Sequence, residues 1–223
     1  MIKNKRGIIM KSQSPNIVSQ LKQGSIQEIF RAAIKHEESI ENYYFEQTTY
    51  EKERIEKLDI RGCHFKNVSL LQSKWNGCYL LDVYFENCDI ANTQFQNCLI
   101  KRVHFKNCKL LGSTFDECIF DHVFIDTCAF QYTSISESKI KTLEIDETNA
   151  KEASFYQNTI QHLQFNHTDL TLSEFHHSSL NQVDLSTSRI DGFKITTFDL
   201  KGAIVSPLQA IDLSRLLGIQ IKE

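Results

Sequence analysis

From Leu58 to Val205 the chain repeats every five residues without interruption. Every position divisible by five is apolar, from Ile60, Phe65, Leu70, Trp75, Leu80, Phe85, Ile90 and Phe95 through Ile195, Leu200 and Val205, and only Ala150 is small. Two residues before each lies a second column of smaller groups, Cys63, Val68, Ser73, Cys78, Val83, Cys88, Thr93 and Cys98, continuing to Ala203. A helix repeats every 3.6 residues and an open strand every 2, so either would drift out of phase within a few units. A fixed period kept over this length belongs to a stacked repeat architecture.

Residues two apart point to the same side of an extended strand. The small and the large residue therefore share an inward face, and the other three positions face out or turn the corner. The small column is itself differentiated every twenty residues. Val83, Val103, Val123, Leu143, Leu163 and Val183 form one row, and Cys88, Cys108, Cys128, Thr148, Thr168 and Ser188 a second. Ser73, Thr93, Ser113, Thr133, Ala153 and Ser173 form a third, and Cys78, Cys98, Cys118, Ser138, Asn158 and Ser178 a fourth. Four edges per coil make a square tube in which like residues stack. Ala150 and Asn158 predict a local dent.

Units such as Cys88-Asp89-Ile90-Ala91-Asn92 and Thr168-Asp169-Leu170-Thr171-Leu172 resemble pentapeptide repeat proteins. The resemblance covers about two thirds of the chain and implies an all-β solenoid, a right-handed quadrilateral β-helix. A family name fixes fold, not function.

The division expected is a disordered basic arm over 1–13, a helix and degenerate first coil over 14–57, the repeat over 58–205, and a C-terminal module over 206–223. The arm holds Lys3, Lys5, Arg6 and Lys11. Ser25 and Glu28 make a capping box, and Ile26, Ile29, Phe30, Ala33 and Ile34 follow at helical spacing to about Glu37. That helix covers the open first coil, whose edges would otherwise be unpaired. Ile40, Phe45, Tyr50 and Ile55 extend the count backwards, with Glu38 and Glu53 in the small positions. Ser206-Pro207 starts a second helix, stopped by Gly218, and Ile219 to Ile221 reads as a strand.

Composition narrows the function. The formal charge of −3 disfavours direct binding of nucleic acid. No run of 18 apolar residues or signal segment predicts a membrane, so a cytoplasmic location is expected. All seven cysteines sit in the small column without a CxxC pair, which reads as packing rather than a metal site. The histidines, including the pair His176 and His177, fall at outward positions and read as solvated surface. No insertion forms a pocket, so neither an enzyme nor a cofactor site is expected.

Two surfaces remain as candidates. Glu86, Asp126 and Asp146 share a column, with Phe124, Glu144 and Glu147 beside them and Asp116, Glu117 and Glu137 assigned to the preceding face. An acidic rod surface imitates the phosphates of duplex DNA. About seven coils at ~4.8 Å give a rod near 36 Å, against about 20 phosphates on duplex DNA of that length. With 25 Lys and Arg against 28 Asp and Glu in the chain, any such imitation is local. At the C-terminus, Leu208 and Ile211 lie on one side of the helical wheel, and Ala210, Leu213, Leu216 and Leu217 on another. Two apolar sides, together with Ile219 and Ile221, predict a homodimer joined end to end. An unbroken solenoid with such an ending is similar to Qnr-type members of the family in Gram-positive bacteria. That resemblance implies a protein that binds DNA gyrase or topoisomerase IV and protects it from quinolones. The alternative is a scaffold for an unrelated cytoplasmic protein.

Overall fold

A computed structural model describes residues 13–220. Each inward residue pairs in parallel register with the residue twenty positions on, as Phe65 with Phe85, Phe85 with Phe105 and Phe105 with Ile125. The twenty-residue variation of the small column is therefore one coil. Its four faces are named here by their inward residues Leu80, Phe85, Ile90 and Phe95. The Leu80 and Phe85 faces belong to one 12-stranded sheet, because strands such as Tyr79–Glu86, Leu99–Lys106 and Ile119–Asp126 run through the corner between them. The Phe95 face is an 8-stranded sheet. The Ile90 face is held by single parallel bridges, Ser69 to Asp89 to Lys109 to Ala129 and onward to Arg189. The four edges are thus unequal: two fuse and one is reduced.

Corners turn at the second residue after each inward one. Asp82, Asn87, Asn92 and Asn97 all have φ near +55°, a region costly for residues with a Cβ. Stacking holds them there, since each corner N–H reaches the next coil: Asn87 donates to the Lys106 carbonyl at 3.0 Å and Asn107 to the Asp126 carbonyl at 2.9 Å.

The four rows of small residues differ because their backbone N–H groups have different acceptors. In the valine row the N–H reaches a backbone carbonyl of the next coil, as Val123 to Thr142 and Leu143 to His162, until Val183, whose N–H closes its own turn on Leu180. In the row containing Thr133 it closes its own turn, as Ser113 to Leu110. In the other two rows the acceptor is the side chain one coil on. Cys108 N–H donates to Cys128 Sγ, Cys128 N–H to Thr148 Oγ1, Cys118 N–H to Ser138 Oγ and Ser138 N–H to Asn158 Oδ1. A valine in those rows would orphan a buried donor. Their cysteines are therefore hydrogen-bonding groups as well as compact fillers. Each also donates to a carbonyl of the preceding coil, as Cys98 to Trp75 and Cys118 to Phe95. Burial pushes the Cys63 thiol up to about 11 and Cys108 well above its ordinary value.

Inside the tube the large side chains stack. Phe85 and Phe105 lie 5.0 Å apart and Phe95 and Phe115 4.8 Å apart, each pair at an interplanar angle of 3°. Ala150 stays in phase and buried, and Asn158 is accommodated by donating to the Ile135 carbonyl at 2.8 Å. The loosened inward site is Ile160, which is only partly buried. The phase fails before Val205. Phe198, at a small-column position, is 81% exposed, while Asp199 turns inward to accept from Thr196 Oγ1 and the His177 N–H. This is the last coil, where the local turn joining Leu200 N–H to the Thr196 carbonyl replaces ladder bonds.

Helix α1 (Ile26–His36) begins at Ser25, whose hydroxyl accepts from the Glu28 N–H, and buries Ile26, Phe30 and Ala33 over the first coil. Ile34 points to solvent instead. Before it, Lys22–Gln23 pairs with Tyr43–Tyr44, adding a strand that the repeat count does not foretell. At the other end α2 (Pro207–Leu213) carries a capping box of Ser206 and Gln209, followed by a 3-10 turn, Ser214–Leu217, closed by Gly218 at φ +71°. The Gln209 amide also donates to the carbonyls of Leu185 and Ser188, sealing the terminal coil. Ile219 and Gln220 form no strand. Ile221 and the basic residues Lys3, Lys5, Arg6 and Lys11 lie outside the described residues.

Candidate functional site

The Phe85 face presents two outward columns, one on each side of the buried one. The first is a ladder of rings: Tyr44, His64, Tyr84, His104 and Phe124, with centroids 4.7 to 5.1 Å apart. Strand pairing places Glu144 and Gln164 next in line. The second column carries charge: Glu46, Lys66, Glu86, Lys106, Asp126, Asp146 and Asn166 follow one another in register. Glu86, Asp126 and Asp146 therefore do share a column, but Lys106 stands between the first two and Lys66 precedes Glu86.

Those lysines change the electrostatics. Lys66 Nζ lies 3.3 Å and His64 Nε2 3.2 Å from the Glu86 carboxylate, and Lys106 Nζ and His104 Nε2 lie 3.9 and 3.7 Å from Asp126. The row of acids is thus locally neutralised in its first half. It becomes uninterrupted only where Asp126 and Asp146 are neighbours, beside Phe124 and Glu144. Asp146 Oδ1 there has no hydrogen-bond partner, and His167 Nδ1 lies 3.9 Å from it.

The nine carboxylate and aromatic residues singled out from sequence fall into two groups. Glu86, Phe124, Asp126, Glu144 and Asp146 are together on the Phe85 face, and Glu147 turns the corner at its edge. Asp116 pairs in the other sheet, on the Phe95 face, and Glu117 and Glu137 occupy the corners just after that face. The Leu80 face intervenes, so these three lie across the tube from Asp126. The count of five had put them one face too close, because consecutive units turn the chain through successive corners. Asp116 instead accepts a hydrogen bond from Ser136 Oγ at 2.7 Å.

His64 and His104 are also not solvated surface. Their side chains are 20% and 17% exposed, held edge-on between tyrosine and phenylalanine rings. Burial lowers both imidazoles below their ordinary value, and Glu86 and Asp126 only partly oppose it. His176 stays exposed, 3.6 Å from Glu174.

The C-terminal end is apolar and open. Leu208 is 75% and Leu217 67% exposed, and Ile211, Leu216 and Ile219 are exposed with them. On the last coil Phe198 and Ile204 are exposed too. Leu213 is different: it is partly buried against the core and belongs to the cap. Between α2 and the last coil, Leu200, Ala203, Val205, Ala210, Leu213 and Leu217 line a cavity of about 420 Å³.

A family model described as the pentapeptide repeat region matches residues 98–175, the stretch whose inward residues stack at intervals of twenty. The chain carries a pentapeptide repeat region. A second model, the luminal domain of SV2A/B/C, matches residues 27–115 of the chain. No curated protein matches it. Among solved structures it is similar to a trypsin-treated variant of QnrB1, described as a plasmid-mediated fluoroquinolone resistance protein. That alignment has 19% identity and a TM-score of 0.43, covering 80% of this chain and 100% of that one. It is also similar to HetL of the cyanobacterium Nostoc, involved in heterocyst differentiation regulation, at 10% identity and a TM-score of 0.26, covering 81% of this chain and 94% of that one. A third likeness is to Rfr23 of the cyanobacterium Cyanothece, at 10% identity and 0.27, covering 81% and 99%. At these scores the likenesses carry no argument about what this chain binds.

Among the described residues no group of three or more His, Cys, Asp or Glu side chains is placed to hold a metal ion, and no helix is long and apolar enough to cross a membrane. What the Phe85 face offers chemically is contact: flat rings, a carboxylate pair and two neutral imidazoles.

The imidazoles make the fold acid-sensitive. A histidine whose folded value is depressed gives its full contribution above about pH 6.5, and that contribution is lost as the pH falls toward the folded value. The urea midpoint should therefore fall between pH 7 and pH 5, before carboxylates with lowered values such as Asp121 are protonated. His104→Phe, which continues the ladder with the ring type of Phe124, should flatten that slope. An unchanged slope would mean that His104 takes its proton freely in the folded chain.

Proposed function

We propose that this protein is a non-catalytic binding rod in the cytoplasm. Its partner surface is the end of the Phe85 face carrying Phe124, Asp126 and Asp146, with Glu144 buried beside them, and its partner is DNA gyrase or topoisomerase IV, which it shields from quinolones. The observation supporting the surface is the juxtaposition of Asp126 and Asp146 in register beside an aromatic ladder. The partner follows from the resemblance of the unbroken solenoid and its apolar ending to Qnr-type members. A rod without insertions has one rigid way to present these groups, which favours binding without ordering cost. The second reading, a scaffold for another protein, is favoured by Lys66 and Lys106, which break any continuous imitation of DNA phosphates.

A supercoiling assay with gyrase and a quinolone decides between the two. Restored supercoiling at low protein concentration is expected, and Asp126→Lys with Asp146→Lys should raise the concentration required at least tenfold with thermal stability unchanged. Neither rescue nor inhibition across the titration would leave the scaffold reading.

The apolar ending is proposed to join two copies. Fully burying a leucine contributes about 1.5–3 kcal/mol, and in a two-fold dimer each substitution acts twice. Leu208→Asp with Leu217→Asp should therefore give monomers by light scattering, where the unaltered chain gives dimers at micromolar concentration. A monomer before substitution would refute the dimer.

A further inference from the structure

The segment before α1 lies along the corner that joins the Leu80 and Phe85 faces. Its backbone is anchored at intervals of two coils: Lys22 N–H to the Asn42 carbonyl at 2.7 Å, Asn16 N–H to Asp82 Oδ1 at 2.9 Å, and Gln13 N–H to His122 Nδ1 at 3.3 Å. Four coils separate the outer anchors, about 19 Å of rod at ~4.8 Å per coil. Pro15, Ile17 and Leu21 are half-buried, while Ser14, Val18, Ser19 and Gln20 are exposed. Alternation at 15 and 17 is that of an extended chain with one side seated.

The central anchor is built into the corner independently of the strap. Asp82 is only 9% exposed, and Arg102, one coil on, grips its carboxylate with Nε and Nη2 both at 2.7 Å. Burial alone would raise this carboxyl, but the Arg102 bonds and the Asn16 N–H bring it below the ordinary range. A fixed anionic acceptor at a corner is a seat for a backbone N–H, whichever chain supplies it. The strap's own hold is slight: the two-residue pairing of Lys22–Gln23 with Tyr43–Tyr44, the Asn16 and Gln13 anchors, three half-buried side chains and a glycine, Gly24, between it and the cap of α1.

We propose that residues 13–23 are a releasable strap, and that the Asp82–Arg102 corner beneath it is a docking site for an extended segment of another protein. The segment that fits has apolar side chains two residues apart, a free N–H between them to meet Asp82, and no acidic residue. The resident strap, Gln13-Ser14-Pro15-Asn16-Ile17-Val18, has that composition. Docking there sets the partner along the rim of the ring ladder, since Tyr84 and His104 follow Asp82 and Arg102 by two residues.

Two measurements test this. In the intact chain, hydrogen exchange should proceed at least 100-fold faster at the Asn16 amide than at Asn107, whose N–H is held by the Asp126 carbonyl. Equal protection would mean a permanent strap and would overturn the proposal. In the second, a fluorescein-labelled synthetic peptide of residues 13–23 is titrated against the full chain carrying Ile17→Asp and Leu21→Asp. These half-buried strap positions leave the core untouched. Anisotropy should show binding at least tenfold tighter than to the unaltered chain, lost when the peptide itself carries Ile17→Asp. No binding to the folded variant, or binding indifferent to the peptide substitution, refutes the docking site.

Discussion

In two of the four rows of small inward residues the buried backbone N–H is accepted not by a carbonyl of the stack but by the small inward side chain one coil later. The whole tube depends on that bond. An unpaired buried donor costs about 1–3 kcal/mol, and the defect would recur every twenty residues. The Cys118–Ser138–Asn158–Ser178 row answers it with residues of three types that all carry an acceptor and a donor. Ala153, by contrast, is accepted in the row where the N–H closes its own turn. Once the corners are satisfied internally, outward residues are free of structural duty, and their columns become available for function.

That freedom shapes the Phe85 face. In its three central coils the strands run unbroken from the Leu80 face, so the outward side chains are held at the spacing of a regular sheet rather than of loops. Rings at this spacing stack edge to face, and the ladder half-buries two histidines that open solvent would leave charged below neutral pH. Carboxylates in the neighbouring column are compensated wherever the sequence places lysine between them. Only Asp126 and Asp146 escape this alternation, which is why the candidate surface is short.

Much of this was legible in the sequence because a period of five has a single geometric solution. The inward columns, the four faces, the Ser25 cap and the Ser206-Pro207 start could all be read directly. What could not be read was how unequal the faces are, since the same pentad serves a fused strand, a three-residue strand or a single bridge. Placing Asp116 beside Asp126 failed for a related reason: a linear count gives neighbours along the chain, while the corner at Glu117 and the whole Leu80 face lie between them. The strap was hidden because Gln13 to Gln23 has no period. Its one signal was Asp82, an acid in a corner column with Arg102 twenty residues later. The failure of phase at Phe198 was equally silent, as a phenylalanine at Phe193 is buried in the same column.

The claim that internal acceptors hold the coils together is tested most directly by two isosteric substitutions, compared by urea unfolding. Thr148→Val removes the oxygen that accepts the Cys128 N–H at 3.1 Å. Thr133→Val removes a hydroxyl that only adds a second bond to the Leu110 carbonyl, which already accepts the Ser113 N–H. Both threonines are buried and keep their shape as valine. The account predicts a loss of about 1–3 kcal/mol for Thr148→Val and less than half of that for Thr133→Val. Equal losses, or a Thr148→Val chain as stable as the original, would contradict it.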